Sequence, residues 1–426
     1  MADPTRETVE VLVRGLSSTG SGVADLPDGR VVFVPRTAPG DRALVMLGKV
    51  KPRWAEARVV EILEASEHRK APECALYDQC GGCSLQHLPY EAQLEWKARF
   101  VSESLARIGK IEVAPPPIVP SPDQLRYRNR ITYTLRRLRG GRTVAGFHAL
   151  GRPAHVIDVE DQCVLPEAQI AEAWTSLRAV WGPGARLLPD GGRLRLTLRS
   201  SATGAVLIVG GGEGGWNAAK LFKRASGIAS IWHQPAGAKK ARLLQGTRPG
   251  DESEADGPSV HGAAFLQVNP AAATLLEEHV LEHAGSPTRA VDAYCGIGVY
   301  GRALAARGAV VVGIESNPDA LRTFDDPLEG LSALAGKVEV RLPEALPADL
   351  LILNPPRSGL DTSVPEHILA EPPQQIIYVS CDVATLARDL SRLIPAYDLV
   401  ELHAFDLFPQ TALVESVAVL HLAAER

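Results

Sequence analysis

The spacing of apolar and polar residues changes character twice along this chain. Over residues 7–62, apolar positions alternate with polar ones, as at Val9, Val11 and Val13, and turn signals such as STGSG and PDG separate the runs. Short alternating strands that are divided by frequent turns are typical of a small β-barrel. The pattern therefore predicts an N-terminal barrel domain over residues 1–62.

Residues 63–255 contain both helix-like and strand-like patterns of apolar residues. The stretch near 90–109 (YEAQLEWKARFVSESLARIG) has helical spacing, whereas TVAGFHA, RLRLTLR and AVLIVG have the composition of strands. Their arrangement predicts a central antiparallel α+β domain, with the helix near 90–109 able to pack on the domain that follows. GTRPGDESEADGPS, residues 246–259, is acidic and rich in glycine and proline, so we expect a linker or exposed loop there.

From residue 256 to 426, strand-like and helix-like runs alternate. RAVDAY, AVVVGIE, DLLILNPP and QIIYVS read as strands, and YGRALAAR and TLARDLSRLI read as helices. Alternation of this kind indicates a doubly wound, Rossmann-like α/β domain. The whole chain is therefore expected to be a multidomain α/β protein.

Charge is unevenly distributed within the net value of −5. Residues 1–250 hold 35 Lys and Arg against 24 Asp and Glu, and residues 251–426 hold 10 against 26. RYRNRITYTLRRLRGGR, residues 126–142, has seven arginines and no acid. A second basic group comprises Lys220, Lys223, Arg224, Lys239, Lys240 and Arg242. Two such groups in one half indicate a nucleic-acid surface, although solvated basic faces have the same composition.

The sequence shows neither an apolar signal-peptide stretch nor a membrane-spanning run. The N-terminal residues MADPTRETVE are polar, and no run approaches eighteen apolar residues. We therefore expect a cytoplasmic protein that acts as a monomer without a membrane partner.

The cysteines are concentrated in one segment. Three of the six, Cys74, Cys80 and Cys83, follow a C-x5-C-x2-C spacing. In a reducing compartment such a group is more often a metal site than a set of disulfides. A set of four thiolates would suit either zinc or a [4Fe–4S] cluster, and spacing alone does not separate these two.

Ligand-type residues follow three strands of the C-terminal domain. Gly296 and Gly298 come after the first strand, Glu315 ends the second, and Asn354 follows a later one. Small residues let backbone amides approach a ligand, and an acid at the second strand end can accept both ribose hydroxyls of a nucleotide. A G-x-G turn alone is also a plain structural feature. Together the signals predict an S-adenosylmethionine site rather than an NAD site, because the third glycine of the dinucleotide fingerprint is missing.

Two further residues have the properties of catalytic groups. IIYVSCDVATLARDL delivers Cys381 to a helix N-terminus, where amides and the helix dipole favour a thiolate. FPQTALVESVAVL places Glu415 in an otherwise apolar strand, where a buried acid is costly without a purpose. Each also has a structural explanation, a buried thiol at a strand end and a hydrogen-bonded carboxyl.

Taken together, the motifs resemble the S-adenosylmethionine-dependent RNA (uracil-5-)-methyltransferase family over nearly the whole chain. The matching segments are CALYDQCGGCSLQHLPYEAQLEWK, AAFLQVN, DAYCGIGVYG, GIESNP, NPPRSGL, YVSCDVATLARDL and FPQTALVESV. Residues 1–62 resemble the OB-like TRAM barrel, an RNA-binding module typical of the members that modify 23S ribosomal RNA. The resemblance implies that residues 63–255 form an iron–sulfur domain and that residues 256–426 form the methyltransferase domain.

The resemblance also implies roles for single residues. Cys381 would add to C6 of uracil, and Glu415 would remove the proton from C5. A [4Fe–4S] cluster would be held by the three clustered cysteines and a distant fourth: Cys74, Cys80, Cys83 and Cys163. The S-adenosylmethionine site would be lined by Gln267, Tyr294, Gly296, Gly298, Glu315 and Asn354. The expected activity is formation of 5-methyluridine during ribosomal RNA processing.

The sequence departs from the family at two positions and leaves alternatives open. The family usually has Asp where Asn354 stands and His where Leu413 stands. Asn-Pro-Pro also resembles amino-methyltransferases, but Arg357 follows it here, and those enzymes have no use for Cys381. A transfer-RNA uridine methyltransferase is the second reading. A non-catalytic iron–sulfur RNA-binding protein is the third, and it would leave Cys381 and Glu415 without a role.

Overall fold

A computed structural model of the chain describes residues 7–247 and 267–424. The predicted linker therefore lies outside the described residues from position 248 onward, as do positions 263–266 of AAFLQVN. The described residues form two compact units. The first comprises residues 7–92, 123–247 and 409–412, and the second comprises residues 93–122, 267–408 and 413–424.

The first unit begins with the predicted barrel. Its strands are β1 (Thr8–Leu16), β2 (Ser21–Asp25), β3 (Val31–Pro35), β4 (Arg42–Val50) and β5 (Trp54–Glu64). Within the described residues they close in the order β1-β2-β3-β5-β4. Val11, Val32 and Val45 point inward with exposures of 3%, 0% and 0%, as the alternation requires. The barrel prediction is confirmed, and β5 is a strand that the pattern did not reveal.

A mixed sheet follows the barrel in the first unit. Its strands are β7 (Arg130–Arg137), β8 (Thr143–Gly146), β11 (Arg193–Ser201), β12 (Gly204–Gly210), β13 (Ile228–Gln234) and β14 (Arg242–Gly246), and they lie in the order β14-β13-β12-β11-β7-β8. A separate two-stranded ribbon comprises β9 (His148–Ala149) and β10 (Arg152–Val156). The helices α2 (Ala168–Val180) and α3 (Ala218–Arg224) pack against the apolar face of the six-stranded sheet.

The antiparallel prediction for this sheet is wrong at one pair. β12 and β13 run parallel because α3 lies in the connection between them and returns the chain to the same end of the sheet. The other pairs in the described part of this sheet are antiparallel.

The second unit is the predicted α/β domain. It contains most of α1 (Tyr90–Ser104), which continues as a π-helical turn (Leu105–Gly109). Its strands are β6 (Ile118–Val119), β15 (Arg289–Ala293), β16 (Val310–Glu315), β17 (Leu331–Ala335), β18 (Leu350–Leu353), β19 (Gln375–Ser380), β20 (Tyr397–Phe405) and β21 (Glu415–Leu422). Its further helices are α4 (Pro270–Ala284), α5 (Val299–Ala306), α6 (Pro318–Leu321), α7 (Val338–Ala345), α8 (Ser363–Ala370) and α9 (Val383–Leu393).

The order of the strands places the candidate site. It runs β17-β16-β15-β18-β19-β21-β20-β6, with β15 to β19 parallel and β21 antiparallel between β19 and β20. After β15, the strands β16 and β17 are added on one side of β15, and β18 is then added on its other side. This reversal is a switch point, where α/β sheets bind ligands at the carboxyl ends of their strands.

Both faces of this sheet are covered by apolar side chains. Val101 and Leu105 pack with Leu386 and Leu390 of α9 on one face, and helices α4 and α5 pack on the other. No helix in the described ranges is long and apolar enough to cross a membrane.

Candidate active site and cysteine cluster

The ends of β15 and β16 bring Gly296 and Glu315 together. Glu315 Oε2 accepts a hydrogen bond from Gly296 N at 3.0 Å, and its Oε1 accepts one from Asn317 N at 2.6 Å. Gly296 has a φ of +57°, and a Cβ added there would meet no atom within 4 Å. Its backbone therefore borders open space. Each carboxylate oxygen has two lone pairs, so Glu315 keeps acceptor capacity for the hydroxyls of a ligand.

Gly298 and Asp292 complete this turn. Gly298 has a φ of +80°, and a Cβ there would lie 2.6 Å from Phe324 Cζ, so only glycine fits. Asp292 Oδ2 accepts from Gly301 N at 3.0 Å, whereas its buried Oδ1 has no hydrogen-bond partner among the described residues. Burial raises the pKa of Asp292 to about 7. A buried acceptor without a partner is characteristic of a functional site, and the sequence analysis did not identify it.

The other residues predicted to line a cofactor site have different surroundings. Asn354 follows β18, and its backbone N donates to Ala293 O at 3.3 Å, so it lies beside the end of β15. Tyr294, half-buried, has a φ of +61°, which is unusual for a bulky side chain and indicates a constrained turn. Gln267 is half-buried and lies two residues before Asn269, the N-cap of α4.

The pairing of β19 with β21 brings Cys381 and Glu415 together. Ser380 pairs with Ser416 in this antiparallel register, so Cys381, the next residue, lies across from Glu415. Glu415 is 2% exposed, and its Oε2 has no hydrogen-bond partner within the described part of the chain. Burial raises the pKa of Glu415 to about 8, although the Arg357 guanidinium opposes this shift.

The surroundings of Cys381 oppose the thiolate that its position at a helix terminus is expected to favour. Burial and the neighbouring Glu415 raise the pKa of Cys381, and Arg357 offsets them only in part. The α9 amides that would favour a thiolate are engaged by the N-cap Asp382, which accepts from Ala384 N and Thr385 N at 3.0 and 2.9 Å. The ionisation of Cys381 therefore depends on its neighbours.

Arg357 is a site residue that sequence reasoning undervalued. It is exposed, follows Asn354-Pro-Pro in the chain, and its positive charge lowers the pKa of both Cys381 and Glu415. The signal in the sequence was a cation directly after a ligand-type strand end. Arg357 therefore favours the ionised form of both candidate catalytic groups.

A buried ion pair fixes the chain between β20 and β21. Lys97 Nζ of α1 lies 2.5 Å from Asp406 Oδ1 with both side chains 0% exposed, and it also donates to Phe408 O at 3.1 Å. Asp406 Oδ1 accepts from Phe408 N at 3.1 Å. Removing one partner of such a pair leaves an uncompensated buried charge. The pair therefore holds the segment that leads to Glu415, and nothing in the sequence pattern linked its two members.

The four cysteines that were predicted to hold a cluster all lie in the first unit. All six cysteines of the chain are free thiols. Cys74 Sγ donates to Gln162 O at 3.5 Å, beside Cys163. Burial, and then the charges of Cys83, Cys74 and Cys80, raise the pKa of Cys163 to about 12, so the four thiols influence one another electrostatically. This donor set of four sulfurs is that of structural zinc or an iron–sulfur cluster.

Among the described ligand atoms, no three of the four sulfurs lie within 4.8 Å of one another. The described geometry therefore does not separate zinc from an iron–sulfur cluster.

Arg36 connects the cysteine loop to the barrel. It follows β3, and its guanidinium donates to the carbonyl oxygens of Cys83, Tyr77 and Cys80 at 2.7, 2.8 and 2.6 Å. The same group lies 3.6 Å above the centre of the Tyr77 ring. One side chain of the barrel therefore shapes the loop that carries three of the four thiols.

The basic segment at residues 126–142 contains arginines of two kinds. The Arg137 guanidinium donates to the backbone carbonyls of Gly184, Ala185 and Gly191 at 2.8, 2.9 and 2.5 Å. Arg137 therefore has a structural role and does not belong to an open binding surface. Arg139 and Arg142, by contrast, are exposed.

Five arginines line the face of the central sheet that is opposite its core. Cross-strand pairing sets Arg136 beside Arg193 and Arg130 beside Arg199. The alternate residues of both strands belong to the hydrophobic core. We call this surface the arginine face, and it comprises Arg130, Arg136, Arg193, Arg195 and Arg199.

Anions are favoured at one end of the arginine face. Burial and then Arg130 lower the pKa of Arg199, and burial and then Arg128 lower that of Arg130. Arg199 Nη1 and Arg128 Nε are buried and have no hydrogen-bond partner within the described ranges. Phosphate oxygens would satisfy such donors and relieve the repulsion between the guanidinium groups.

Similarity to known proteins extends over 97–98% of the chain. Residues 5–60 match the TRAM domain family, and residues 339–423 match the tRNA (Uracil-5-)-methyltransferase family. An uncharacterized RNA methyltransferase of Thermosynechococcus vestitus is 34% identical over 97% of this chain and 98% of its own. Another of Halalkalibacterium halodurans is 32% identical over 98% and 97%. The crystal structure of Pyrococcus abyssi tRNA (uracil-54, C5)-methyltransferase in complex with S-adenosyl-L-homocysteine is 27% identical with a TM-score of 0.74, covering 97% of this chain and 100% of that one.

Proposed function

The chain belongs to the TRAM-containing RNA (uracil-5-)-methyltransferase family, and from that premise we propose that it methylates C5 of a uridine in 23S ribosomal RNA through a Cys381–C6 adduct. The methyl donor is S-adenosylmethionine. The observation that carries the proposed mechanism is the pairing of Cys381 with the buried Glu415 at the facing ends of β19 and β21.

The chemistry of uracil explains why a thiol and a carboxyl are needed together. C5 of uracil is too weakly nucleophilic to take a methyl group directly. When the Cys381 thiolate forms a bond to C6, the electron pair of the C5–C6 double bond moves into an enolate, and C5 becomes nucleophilic. C5 then takes the methyl group from the sulfonium, and S-adenosylhomocysteine leaves.

Glu415 acts in the second half of the reaction. Its carboxylate takes the proton from C5, the C5–C6 double bond re-forms, and the bond from C6 to Cys381 Sγ breaks to release the thiolate. A pKa of about 8 makes this carboxylate a stronger base than an exposed glutamate. Arg357 assists both steps because its charge favours the ionised thiol and the ionised carboxyl.

The residues at the switch point are suited to the methyl donor. Glu315 would accept the ribose hydroxyls, and the turn at Gly296 and Gly298 would let the backbone approach the ligand. Asn354 would hydrogen-bond the donor or the edge of uracil, since its amide both donates and accepts. Gln267 and Tyr294 are proposed to line the same site.

We further propose that Cys74, Cys80, Cys83 and Cys163 hold a [4Fe–4S] cluster. All four are free cysteines, and the three clustered thiols contribute to the raised pKa of Cys163. The resemblance to the family favours iron–sulfur over zinc. Methyl transfer from a sulfonium requires no electron, so the bound cluster would serve to shape the loop at residues 74–83 or to orient RNA.

RNA is proposed to bind the first unit through the TRAM barrel and the arginine face. The preference for 23S ribosomal RNA rests on the TRAM barrel, which is typical of the family members that modify this RNA. Transfer RNA is the second candidate, because the Pyrococcus abyssi protein, which matches over the full length, is named for that substrate.

The proposal is tested with labelled S-adenosylmethionine and two substrates, 23S ribosomal RNA and total transfer RNA that both lack the modification. Wild type should place labelled 5-methyluridine in the ribosomal RNA. Cys381→Ala should bind RNA but form neither product nor adduct. Glu415→Gln should accumulate an adduct that survives denaturing electrophoresis and carries the label, because elimination stalls after methyl transfer.

Other outcomes identify which part of the proposal is wrong. Label in transfer RNA alone would overturn the substrate, and turnover by Cys381→Ala would overturn the covalent mechanism. Normal turnover by Glu415→Gln would mean that another group is the base. Glu344→Gln, on the surface helix α7, is the control for the loss of a carboxylate.

A further inference from the structure

Three histidines and a glutamate converge in the second unit, apart from the residues of the proposed reaction. His279 and His283 are four residues apart on α4 and so share a helix face, and Glu401 and His403 are two residues apart on β20 and so share a strand face. Glu401 Oε2 lies 2.6 Å from His283 Nε2. Its Oε1 lies 2.7 Å from His403 Nδ1 and 3.6 Å from His279 Nε2.

Two of these ring nitrogens are unsatisfied. His279 Nε2 and His403 Nδ1 are closed off from solvent and make no hydrogen bond to any described residue, although both lie near the same carboxylate oxygen. The lone pair of a neutral imidazole repels a carboxylate oxygen unless a proton or a cation lies between them. Glu401 Oε1 faces two such nitrogens. A single cation between the three residues would remove both repulsions by accepting the lone pairs of the nitrogens and of the oxygen.

We propose that His279, Glu401 and His403 bind a divalent transition metal of the zinc type, with His283 as a fourth ligand. Imidazole nitrogens with one carboxylate are a common ligand set for zinc, whereas magnesium and calcium prefer oxygen ligands. The ligand atoms of the first three residues already lie within 4.8 Å of one another. Zinc with bonds of about 2.0–2.1 Å needs them about 3.3 Å apart, which side-chain rotation provides.

The position of the cluster indicates what the metal does. The side chains of His279, His283, Glu401 and His403 are 14%, 23%, 30% and 25% exposed, so the cluster lies just beneath the surface. The metal would link α4 to β20, and β20 pairs with β21, where Phe405 stands opposite Glu415. It is therefore a structural site that stabilises the second unit, independent of the proposed reaction and of the cysteines.

The test uses the full chain, purified anaerobically and dialysed against a chelator, to which zinc chloride alone is added. At a hundredfold excess over Kd, zinc should raise the melting temperature by roughly 5–10 °C, and magnesium should not. Zinc X-ray absorption should show nitrogen and oxygen neighbours at about 2.0–2.1 Å rather than sulfur at about 2.3 Å. The second readout separates this site from zinc on the cysteines.

Variants complete the experiment. His283→Gln/His403→Gln should lose both the zinc-dependent stabilisation and the nitrogen signal, and His421→Gln, an exposed histidine on β21, should keep both. If the double variant does not fold, Glu401→Gln, which keeps the shape and removes the charge, should show the same loss. An unchanged melting temperature in wild type, sulfur neighbours alone, or stabilisation that survives these substitutions would overturn the proposal.

Discussion

At the scale of single residues, two buried carboxyls contribute to the pH dependence of the stability of the second unit. Burial raises the pKa of Glu415 from 4.5 to about 8 and that of Asp292 from 3.8 to about 7. Between their ordinary and raised values, both groups bind more protons in the folded state than in the unfolded chain. The contribution of each group to stability is therefore full below its ordinary pKa, 3.8 for Asp292 and 4.5 for Glu415, and it is lost as the pH rises through about 7 and about 8.

The substitution Glu415→Gln should remove the part of the pH-dependent loss of stability that comes from the Glu415 carboxyl. The free energy of unfolding of wild type should fall between pH 5 and pH 9, and the variant should lose roughly 2–5 kcal/mol less over the same interval, since one pKa unit corresponds to about 1.4 kcal/mol. Urea unfolding at pH 5, 7 and 9 measures the difference. Glu344→Gln is the control, and equal pH dependence in wild type and Glu415→Gln would contradict the burial argument.

At the scale of elements, the loop at residues 74–83 depends on contacts outside itself. It contains three thiols but little regular structure, and the Arg36 guanidinium satisfies three of its carbonyl oxygens. A short loop that holds metal ligands needs such outer contacts to keep them in position.

Arg36→Met keeps the aliphatic part of the side chain and removes all of its donors. We expect this variant to retain less than about half of the wild-type iron, because losses of outer contacts typically weaken metal binding 10–100-fold. Iron and sulfide analysis of anaerobically purified protein provides the measurement, with Arg53→Met, an exposed barrel arginine, as the control. An iron content of Arg36→Met equal to that of wild type would show that the Arg36 contacts are not needed to hold the metal ligands in position. Stoichiometric zinc without iron in wild type would refute the cluster itself.

At the scale of the whole molecule, the excess of basic residues and the candidate active site lie in different halves of the chain. Residues 1–250 have an excess of Lys and Arg, whereas residues 251–426, which contain the candidate active site, have an excess of Asp and Glu. RNA affinity should therefore come mainly from the first unit, where the arginine face offers guanidinium groups to phosphates.

Charge reversal on the arginine face tests this separation. Arg193→Glu/Arg195→Glu, both exposed and on β11, should weaken RNA binding at least about tenfold and flatten the salt dependence by about one unit of slope per lost phosphate contact. Fluorescence anisotropy at several salt concentrations measures both effects. Arg307→Glu/Lys337→Glu, which reverses two exposed charges of the second unit, is the matched control. Equal losses in the two variants would mean that the RNA surface lies elsewhere.

The sequence by itself determined the features that repeat over short distances. Alternation of apolar residues predicted the barrel, and alternation of strand-like and helical runs predicted the α/β domain, because strand and helix periods are local properties of the chain. Gly296, Glu315 and Asn354 were predicted as neighbours because parallel strands end at one edge of a sheet. The resemblance to a known family added roles for Cys381, Glu415 and the cysteines, which periodicity does not provide.

Only the tertiary structure decided matters that depend on residues far apart in the chain. Lys97 and Asp406 are 309 residues apart and form one buried ion pair. The pKa of Cys381 follows from its burial and from Glu415 and Arg357, which outweigh the helix terminus that the local sequence presents. Arg137 is structural and Arg195 is exposed, although both belong to strands with similar composition. Burial and charge are sums over three-dimensional neighbours, and for that reason no local pattern contains them.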